Sequence, residues 1–140
     1  NQNAYNIFNR TIEENGLKEI AEKEQKGIIA FSPLAQGLLT NRYLNGIPTD
    51  SRVMTDGRFL NASKITKEMI DKITKLDNIA KSRGESLAQM ALKWVLKDEV
   101  VTSVLIGASK PEQIIENLKV LENHDFTKEQ LKVIDLIYSE

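Results

Sequence analysis

Apolar positions recur at helical spacing through several stretches of the chain and gather into short β-rich runs in others. Across residues 66–83, Met69, Ile70, Ile73, Leu76, Ile79 and Ala80 fall on one side of a 3.6-residue repeat, which predicts an amphipathic helix. Gly84 stands where a left-handed residue would end it. Ser86 predicts the cap of a second helix running to Lys97, with Leu87, Met90, Ala91, Trp94 and Val95 facing inward. Residues 13–25 read as another helix, with Leu17, Ile20 and Ala21 on one face. Thr127, with Gln130 three residues on, opens a last helix reaching Tyr138. The short runs are residues 27–32, ended by Pro33, and residues 101–106, where Val101, Val104, Leu105 and Ile106 supply the apolar side chains. Both read as strands. A short helix of one or two turns is expected around Gly37, and residues 40–64 read as one long loop, of the kind that is usually functional or mobile.

Each strand is followed by a turn carrying polar groups, and α/β folds bind ligands at those carboxyl ends. After the second strand, Gly107 is expected to let the backbone turn where a side chain would obstruct it. Ser109 and Glu112 have the spacing of a capping box, and Pro111 suits the first helical turn. Unpaired N–H groups, the helix dipole and the Lys110 ammonium would then converge, which is a phosphate site in outline. The same features fit an ordinary strand-to-helix turn. After the first strand, Phe31 has the place of a ring that stacks on a flat ligand, although such a residue is more often core. Arg42 and Arg52 have the charge to clamp a pyrophosphate, or to sit on the surface as solvated cations.

The helices between the strands favour parallel pairing. Two such strands, or three with the first residues, do not complete a parallel sheet, which needs cover on both faces and neighbours at its edges. The pattern therefore implies missing sheet.

Composition narrows the classes. At 41% hydrophobic and 28% charged residues the chain reads as one globular domain. A net charge of −1 argues against nucleic acid and anionic membranes as partners. The absence of cysteine excludes disulfides and Cys-based zinc or nucleophile chemistry, and fits a reducing compartment. There is no 18-residue apolar run and no signal-peptide pattern at the start, so a cytoplasmic protein is expected. The first residue is not Met, and the chain is expected to be part of something longer.

Two long motifs then carry a resemblance that spans nearly the whole chain. Phe31-Ser-Pro-Leu-Ala-Gln-Gly-Leu-Leu-Thr-Asn-Arg-Tyr-Leu-Asn-Gly-Ile-Pro-Thr-Asp-Ser-Arg52 resembles the seventh βα unit of the aldo-keto reductases. Leu105-Ile-Gly-Ala-Ser-Lys-Pro-Glu-Gln-Ile-Ile-Glu-Asn117 resembles the eighth, and Gln2-Asn-Ala-Tyr-Asn-Ile-Phe-Asn-Arg10 the end of the sixth strand. The branch is similar to that of bacterial glyceraldehyde-3-phosphate reductases and potassium-channel β-subunits. The implied fold is α/β, the C-terminal part of a (β/α)8 TIM barrel, about strands six to eight with their helices.

The resemblance implies NADP(H) as cofactor. Gln2 would hydrogen-bond the nicotinamide carboxamide and Phe31 would stack on its ring. Ser32, Pro33, Leu34, Ala35 and Gln36 would wrap the pyrophosphate under Arg42 and Arg52. Gly107 and Ser109 would line the 2′-phosphate pocket with Gln113 nearby, and Glu116 and Asn117 would meet the adenine and its ribose. Helical spacing puts Gln113, Glu116 and Asn117 on one face, and Lys110 suits the 2′-phosphate, although some relatives are more basic there.

The family's catalytic Asp, Tyr, Lys and His belong to the first half of the barrel, and none of their motifs occurs here. Tyr5, Tyr43 and Tyr138 show no Lys/Asp constellation in the sequence, and none is assigned to catalysis. The only histidine, His124, reads as a surface residue; the acidic pairs Glu13–Glu14 and Asp98–Glu99 read as solvated ends; no metal-ligand cluster is seen. The implied activity is that of a C-terminal cofactor-binding portion, inactive alone, of an enzyme that reduces a small aldehyde or ketone. The alternatives are a non-catalytic regulatory subunit, a fragment held by oligomerisation, and an unrelated small α/β fold.

Overall fold

The computed structural model describes residues 1–44 and 65–140. Arg52 and nearly all of the long 40–64 loop lie outside the described residues.

Three short parallel strands form one sheet in the order β1 (Gln2–Ala4), β2 (Ile28–Phe31) and β3 (Val101–Val104). The crossover from β1 to β2 carries α1 (Thr11–Glu14) and α2 (Leu17–Lys23). Between β2 and β3 come two 3₁₀ turns, Ala35–Gly37 and Asn41–Tyr43, then α3 (Lys67–Ser82) and α4 (Leu87–Val95). After β3 the chain forms α5 (Pro111–Leu118), a 3₁₀ turn at Lys119–Glu122, and α6 (Lys128–Ser139). Parallel pairing is as the helical crossovers required.

Register fixes what each sheet face carries. Gln2 pairs with Ile29 and Ala4 with Phe31, while Ile29 pairs with Ser103 and Ala30 with Val104. Ile28 and Ala30 are wholly buried, and Val101 nearly so, on the face that meets the helices. Ile29 and Phe31, at 39% and 38% exposure, point the other way with Gln2 and Ser103. A parallel sheet is ordinarily covered on both faces. Here one face is packed and the other is open, which agrees with the sheet that the sequence pattern lacks.

The helices form where period and caps agree. Thr66 accepts from Met69 N to start α3, and Ile73, Leu76 and Ala80 are wholly buried along it. Gly84 follows with φ +73°, as expected of a left-handed terminator. Ser86 and Gln89 make a reciprocal capping box on α4, whose Leu87, Met90, Ala91, Trp94 and Val95 are all buried. Thr127 and Gln130 do the same for α6, which buries Ile134 and Ile137. Each such side chain removed from water contributes about 1.5–3 kcal/mol.

Four expectations are corrected. The helix expected over residues 13–25 is two helices, because Gly16 turns left-handed at φ +82° and Asn15 Oδ1 captures Leu17 N at 3.0 Å to restart the chain. Of its expected inner face Ala21 is buried, but Ile20 is 59% exposed. β3 stops at Val104, and Leu105 and Ile106 lie beyond it at 47% and 37% exposure. The N-cap of α5 is Lys110, one residue past Ser109, with Gln113 in place of Glu112 reaching back to it. A lysine has no acceptor to complete the box, so only the Gln113 half exists.

Two arginines lock the helices together. Arg10 donates from Nε to Ile7 O (3.0 Å) and pairs with Asp135 at 2.5 Å, its guanidinium lying between the Trp94 and Tyr138 rings. Arg83 pairs with Glu85 at 2.5 Å, donates to His124 O and Gln130 Oε1, and covers Phe126.

Candidate functional site

Parallel strands bring their carboxyl ends to one edge, and the two turns singled out in the sequence leave that edge side by side. Leu105 N donates to Ala30 O at 2.8 Å, so the β3–α5 turn starts one strand over from the β2 turn, about 4.8 Å away.

The β2 turn is left-handed at several residues. Ser32, Ala35 and Gln36 have φ of +52°, +50° and +58°, and Gly37 follows at +96°. Leu34 in a right-handed bridge conformation (φ −100°, ψ 13°) followed by left-handed Ala35 has the alternating handedness of a concave backbone nest. The strained path is tied down by its own bonds. Ala35 N donates to Ser32 O (3.2 Å), Gly37 N and Leu39 N to Leu34 O (3.0 Å each), and Thr40 Oγ1 to Gly37 O (2.6 Å). Buried Pro33, Leu38, Leu39 and Tyr43 anchor it from below. Phe31 leads into the turn half-exposed, and Gln2 shares its sheet face two register positions earlier. The Arg42 stem runs beside Gly37, its Cδ 4.0 Å from where a Cβ on that glycine would stand. Phe31, Ser32, Pro33, Leu34, Ala35, Gln36 and Arg42 are therefore gathered along one strand end and its turn, with Gln2 on the neighbouring strand, two register positions back on the same sheet face.

The β3–α5 turn departs from expectation in two ways. Gly107 has no left-handed φ, and nothing among the described residues lies within 4 Å of an added Cβ, so the backbone there does not require glycine. Two amides just before the helix are also occupied. Gln113 Oε1 accepts from Ser109 N (2.8 Å), Ser109 Oγ (3.3 Å) and Lys110 N (3.3 Å). An anion that uses those two amides must displace the Gln113 carboxamide. Ser109, Lys110, Gln113 and Glu116 are exposed and Asn117 half-buried, so all are within reach of solvent.

Sequence reasoning missed Gln89. Its Nε2 donates to Glu116 O at 2.9 Å, with Glu116 Oε2 at 3.4 Å, so one side chain closes the α4 cap and holds α5. A cleft of about 520 Å³ lies between these helices, lined in part by Lys81, Ser86, Gln89, Glu116 and Asn123. Ser86 was read as the cap, but its partner Gln89, three residues on, was missed, and no local spacing carries the contact with Glu116.

Tyr5 also requires correction, because it has a Lys/Asp constellation in three dimensions. Its hydroxyl donates to Glu13 Oε1 (2.5 Å) and receives Lys18 Nζ (3.3 Å) and Lys97 Nζ (2.9 Å); Lys18 in turn pairs with Asp98. The acidic residues Glu13 and Asp98 are thus paired and partly buried, not solvated ends. Burial, then the Glu13 hydrogen bond and charge, push the Tyr5 phenol far above its ordinary value. A proton-donating phenol needs the opposite shift and access to substrate, and Tyr5 has no exposed surface. Burial and then Lys18 draw the Lys97 ammonium down to about 8. Burial would raise the Asp98 carboxyl, but the Lys18 hydrogen bond and the Lys97 charge outweigh it and hold it low. Tyr43 is core, and Tyr138 donates to Glu14 Oε1 at 2.7 Å, which raises its phenol. His124 is exposed and contributes only its carbonyl, to Arg83.

Among the described residues no group of three or more His, Cys, Asp or Glu stands where it could hold a metal ion. No described helix is long and apolar enough to cross a membrane.

Comparison with known proteins gives this arrangement its setting. The chain is 48% identical over 137 residues to L-glyceraldehyde 3-phosphate reductase of Escherichia coli O157:H7, with 96% of this chain and 40% of that protein covered. It is 39% identical over 140 residues to a putative voltage-gated potassium channel subunit beta of Schizosaccharomyces pombe, covering 97% and 41%. The chain thus spans about 40% of the length of the curated relatives it matches. A glycerol dehydrogenase from Gluconobacter oxydans superimposes on 99% of the chain and 41% of its own, with TM-score 0.78 and 28% identity. An aldo-keto reductase from Klebsiella pneumoniae, determined in complex with NADPH, superimposes on 99% of the chain and 38% of its own, with TM-score 0.67 and 24% identity. The α/β fold is therefore a partial one, seen whole in longer proteins. The pattern of the Aldo/keto reductase family matches residues 1–139, and the chain belongs to that family.

Proposed function

We propose that this chain is the C-terminal, NADP(H)-binding portion of an aldo-keto reductase barrel, about its sixth to eighth strands, whose whole protein reduces an aldehyde or ketone by hydride transfer. The observation that carries the reading is the pairing of two turns on one sheet edge: a left-handed anion cup beside a half-exposed aromatic ring, and a helix N-terminus whose amides hold an exchangeable carboxamide. The residues fit the group. Phe31 offers a ring face to the nicotinamide and Gln2 a carboxamide on the same side of the sheet. Ser32 to Gln36 cup the pyrophosphate with Arg42 and Arg52 as counter-charges, and Gly107, Ser109 and Lys110 take the 2′-phosphate. Gln113 swings from its cap toward the ligand, and Glu116 and Asn117 meet the adenine and ribose. Bound NADPH supplies the hydride; the residues here bind, orient and exclude water from it.

The Tyr that protonates the carbonyl oxygen, with its Asp, Lys and His, belongs to the remainder of the protein on this reading, so the 140-residue chain alone is expected to be inactive. The substrate is a small carbonyl compound. Cytoplasmic location, no nucleic-acid or membrane partner, and homo-oligomer formation complete the proposal. The likeness to the Schizosaccharomyces pombe subunit favours a second reading, an NADP-binding regulatory subunit without turnover. The two are separated by whether the whole protein carries the tetrad.

The test is differential stabilisation. NADPH is expected to raise the melting temperature of the chain, and NADH to raise it less. No shift with either, together with no change in NADPH fluorescence when the chain is added, would sink the proposal. Carbonyl reduction by the chain above an Arg52→Ala, Gln113→Ala control would sink its inactive-alone part.

A further inference from the structure

We infer that Asn6 is the positioning residue for the phosphate-cupping turn after β2, a role that rests on the NADP(H) reading of that turn. Asn6 lies just past β1, is 4% exposed, and is hydrogen-bonded through both its side-chain oxygen and its side-chain nitrogen. Its Oδ1 accepts from Phe8 N (2.9 Å) and Asn9 N (2.8 Å), which closes a tight turn reinforced by reciprocal backbone bonds between Asn6 and Asn9 at 3.1 Å. Its Nδ2 crosses to the neighbouring strand end and donates to Ser32 O at 2.9 Å.

Ser32 is the first left-handed residue of the cup, at φ +52°. A serine held there costs of order 1 kcal/mol or more and stays only where its surroundings over-determine it. Its carbonyl accepts from Ala35 N at 3.2 Å as well as from Asn6. The Ala35 bond is internal to the turn and moves with it. The Asn6 bond is the one that ties the turn to the sheet, beside Tyr5 N donating to Phe31 O at 3.2 Å. Asn6 thereby sets where the cup stands relative to the Phe31 ring, and so whether one ligand reaches both the ring and the cup.

The chemistry of the side chain supplies two variants. Asn6→Asp keeps the shape and the acceptor that closes the 6–9 turn and loses the donor to Ser32, but adds a carboxylate charge. Asn6→Ser keeps a turn acceptor with neither the donor nor the charge, and both variants are expected to show each change below. Three measurements on the 140-residue chain decide the matter. First, without cofactor, the amides of Gly37, Leu38 and Leu39 are expected to exchange at least tenfold faster in Asn6→Asp, with those of Met90 to Trp94 unchanged; equal exchange in the β2 turn overturns the inference. Second, NADP⁺ is expected to bind at least tenfold more weakly to each variant, whereas adenosine 2′-monophosphate, which reaches the β3–α5 turn and has no 5′-phosphate to enter the cup, binds parent and variants alike. A parallel loss of both ligands means a general loss of structure and overturns the positioning role. Third, in the parent chain the Asn6 side-chain amide protons are expected to be protected from exchange, a readout that survives even if the variant does not fold; free-amide exchange there overturns the inference. Failure of the parent to bind NADP⁺ overturns the cofactor reading instead, while the exchange measurements still decide whether Asn6 holds the turn.

Discussion

Lys97 Nζ lies 2.9 Å from the Tyr5 hydroxyl and 3.6 Å from the centroid of the Trp94 ring, inside a cluster drawn from α1, α2, α4 and the residues just past β1 and α4. Its side chain is 16% exposed, and burial with the nearby Lys18 charge lowers its pKa from 10.5 to about 8 against the opposing pull of Asp98 and Glu13. The unfolded chain keeps this proton to higher pH than the folded one. Between about pH 8 and 10, stability is therefore expected to rise with pH, by up to about 1.4 kcal/mol per unit. Below about pH 8 both states carry the proton, and the cost of burying the charge is constant. Above about pH 10 the raised Tyr5 phenol acts the other way, because the folded chain then holds a proton that the unfolded chain loses. Urea melts of the parent and of Lys97→Met across this range check the sign. The parent should gain on the variant from pH 8 to 10, and a constant difference would refute the assignment.

Arg10 should be among the most costly surface-to-core links to cut. It is 7% exposed, donates to the Ile7 carbonyl, pairs with Asp135 and lies 4.7 Å and 4.2 Å from the centroids of Trp94 and Tyr138. Arg10→Ala removes a stacked cation and strands a buried carbonyl, at about 3 kcal/mol. Asp135 is 60% exposed, so Asp135→Asn should cost under about 1 kcal/mol. Chemical denaturation of the two variants tests the asymmetry; equal losses would mean that the ion pair, not the stacking, carries the energy.

Two glycines make opposite predictions. Gly16 has φ +82° with nothing within 4 Å of an added Cβ, so Gly16→Ala should cost about 1 kcal/mol from backbone strain alone. Gly107 has open space and no left-handed φ, so Gly107→Ala should leave stability within about 0.5 kcal/mol of the parent. If Gly107 lines the 2′-phosphate pocket, the same substitution weakens NADP⁺ binding without changing the melt. Unchanged binding would remove Gly107 from the site.

How much of this was legible in the sequence depends on how local each determinant is. α3, α4 and α6 could be read because Thr66, Ser86 and Thr127 cap them within three residues and the apolar period runs unbroken behind each cap. The break at Gly16 was signalled by the Asn15–Gly16 pair, a turn dipeptide, but the helical spacing of Leu17, Ile20 and Ala21 beyond it led the reading through the turn. The two polar turns after β2 and β3 were legible as motifs, but the occupation of Ser109 N and Lys110 N by the Gln113 carboxamide is a side-chain choice that no spacing reveals. The Tyr5 cluster was illegible for a different reason. Tyr5 and Lys97 are 92 residues apart, and Lys18 and Asp98 are 80 apart; only the packed sheet and helices bring them together.

Lys110 offers the sharpest separation of the two nicotinamide cofactors. It is the N-cap of α5, exposed, and stands at the helix end where Ser109 N and Lys110 N hold the displaceable Gln113 carboxamide. A 2′-phosphate there gains the amides, the helix dipole and one ammonium, whereas NAD⁺ has no group to use them. Lys110→Ala should weaken NADP⁺ about tenfold, near 1.4 kcal/mol, and leave NAD⁺ unchanged. Lys110→Arg should retain most of the preference. Because the ammonium is exposed, the gap between parent and Lys110→Ala should shrink as salt is raised. Fluorescence titration with both cofactors at two ionic strengths measures all of this, and an equal loss for NADP⁺ and NAD⁺ would place Lys110 away from the 2′-phosphate.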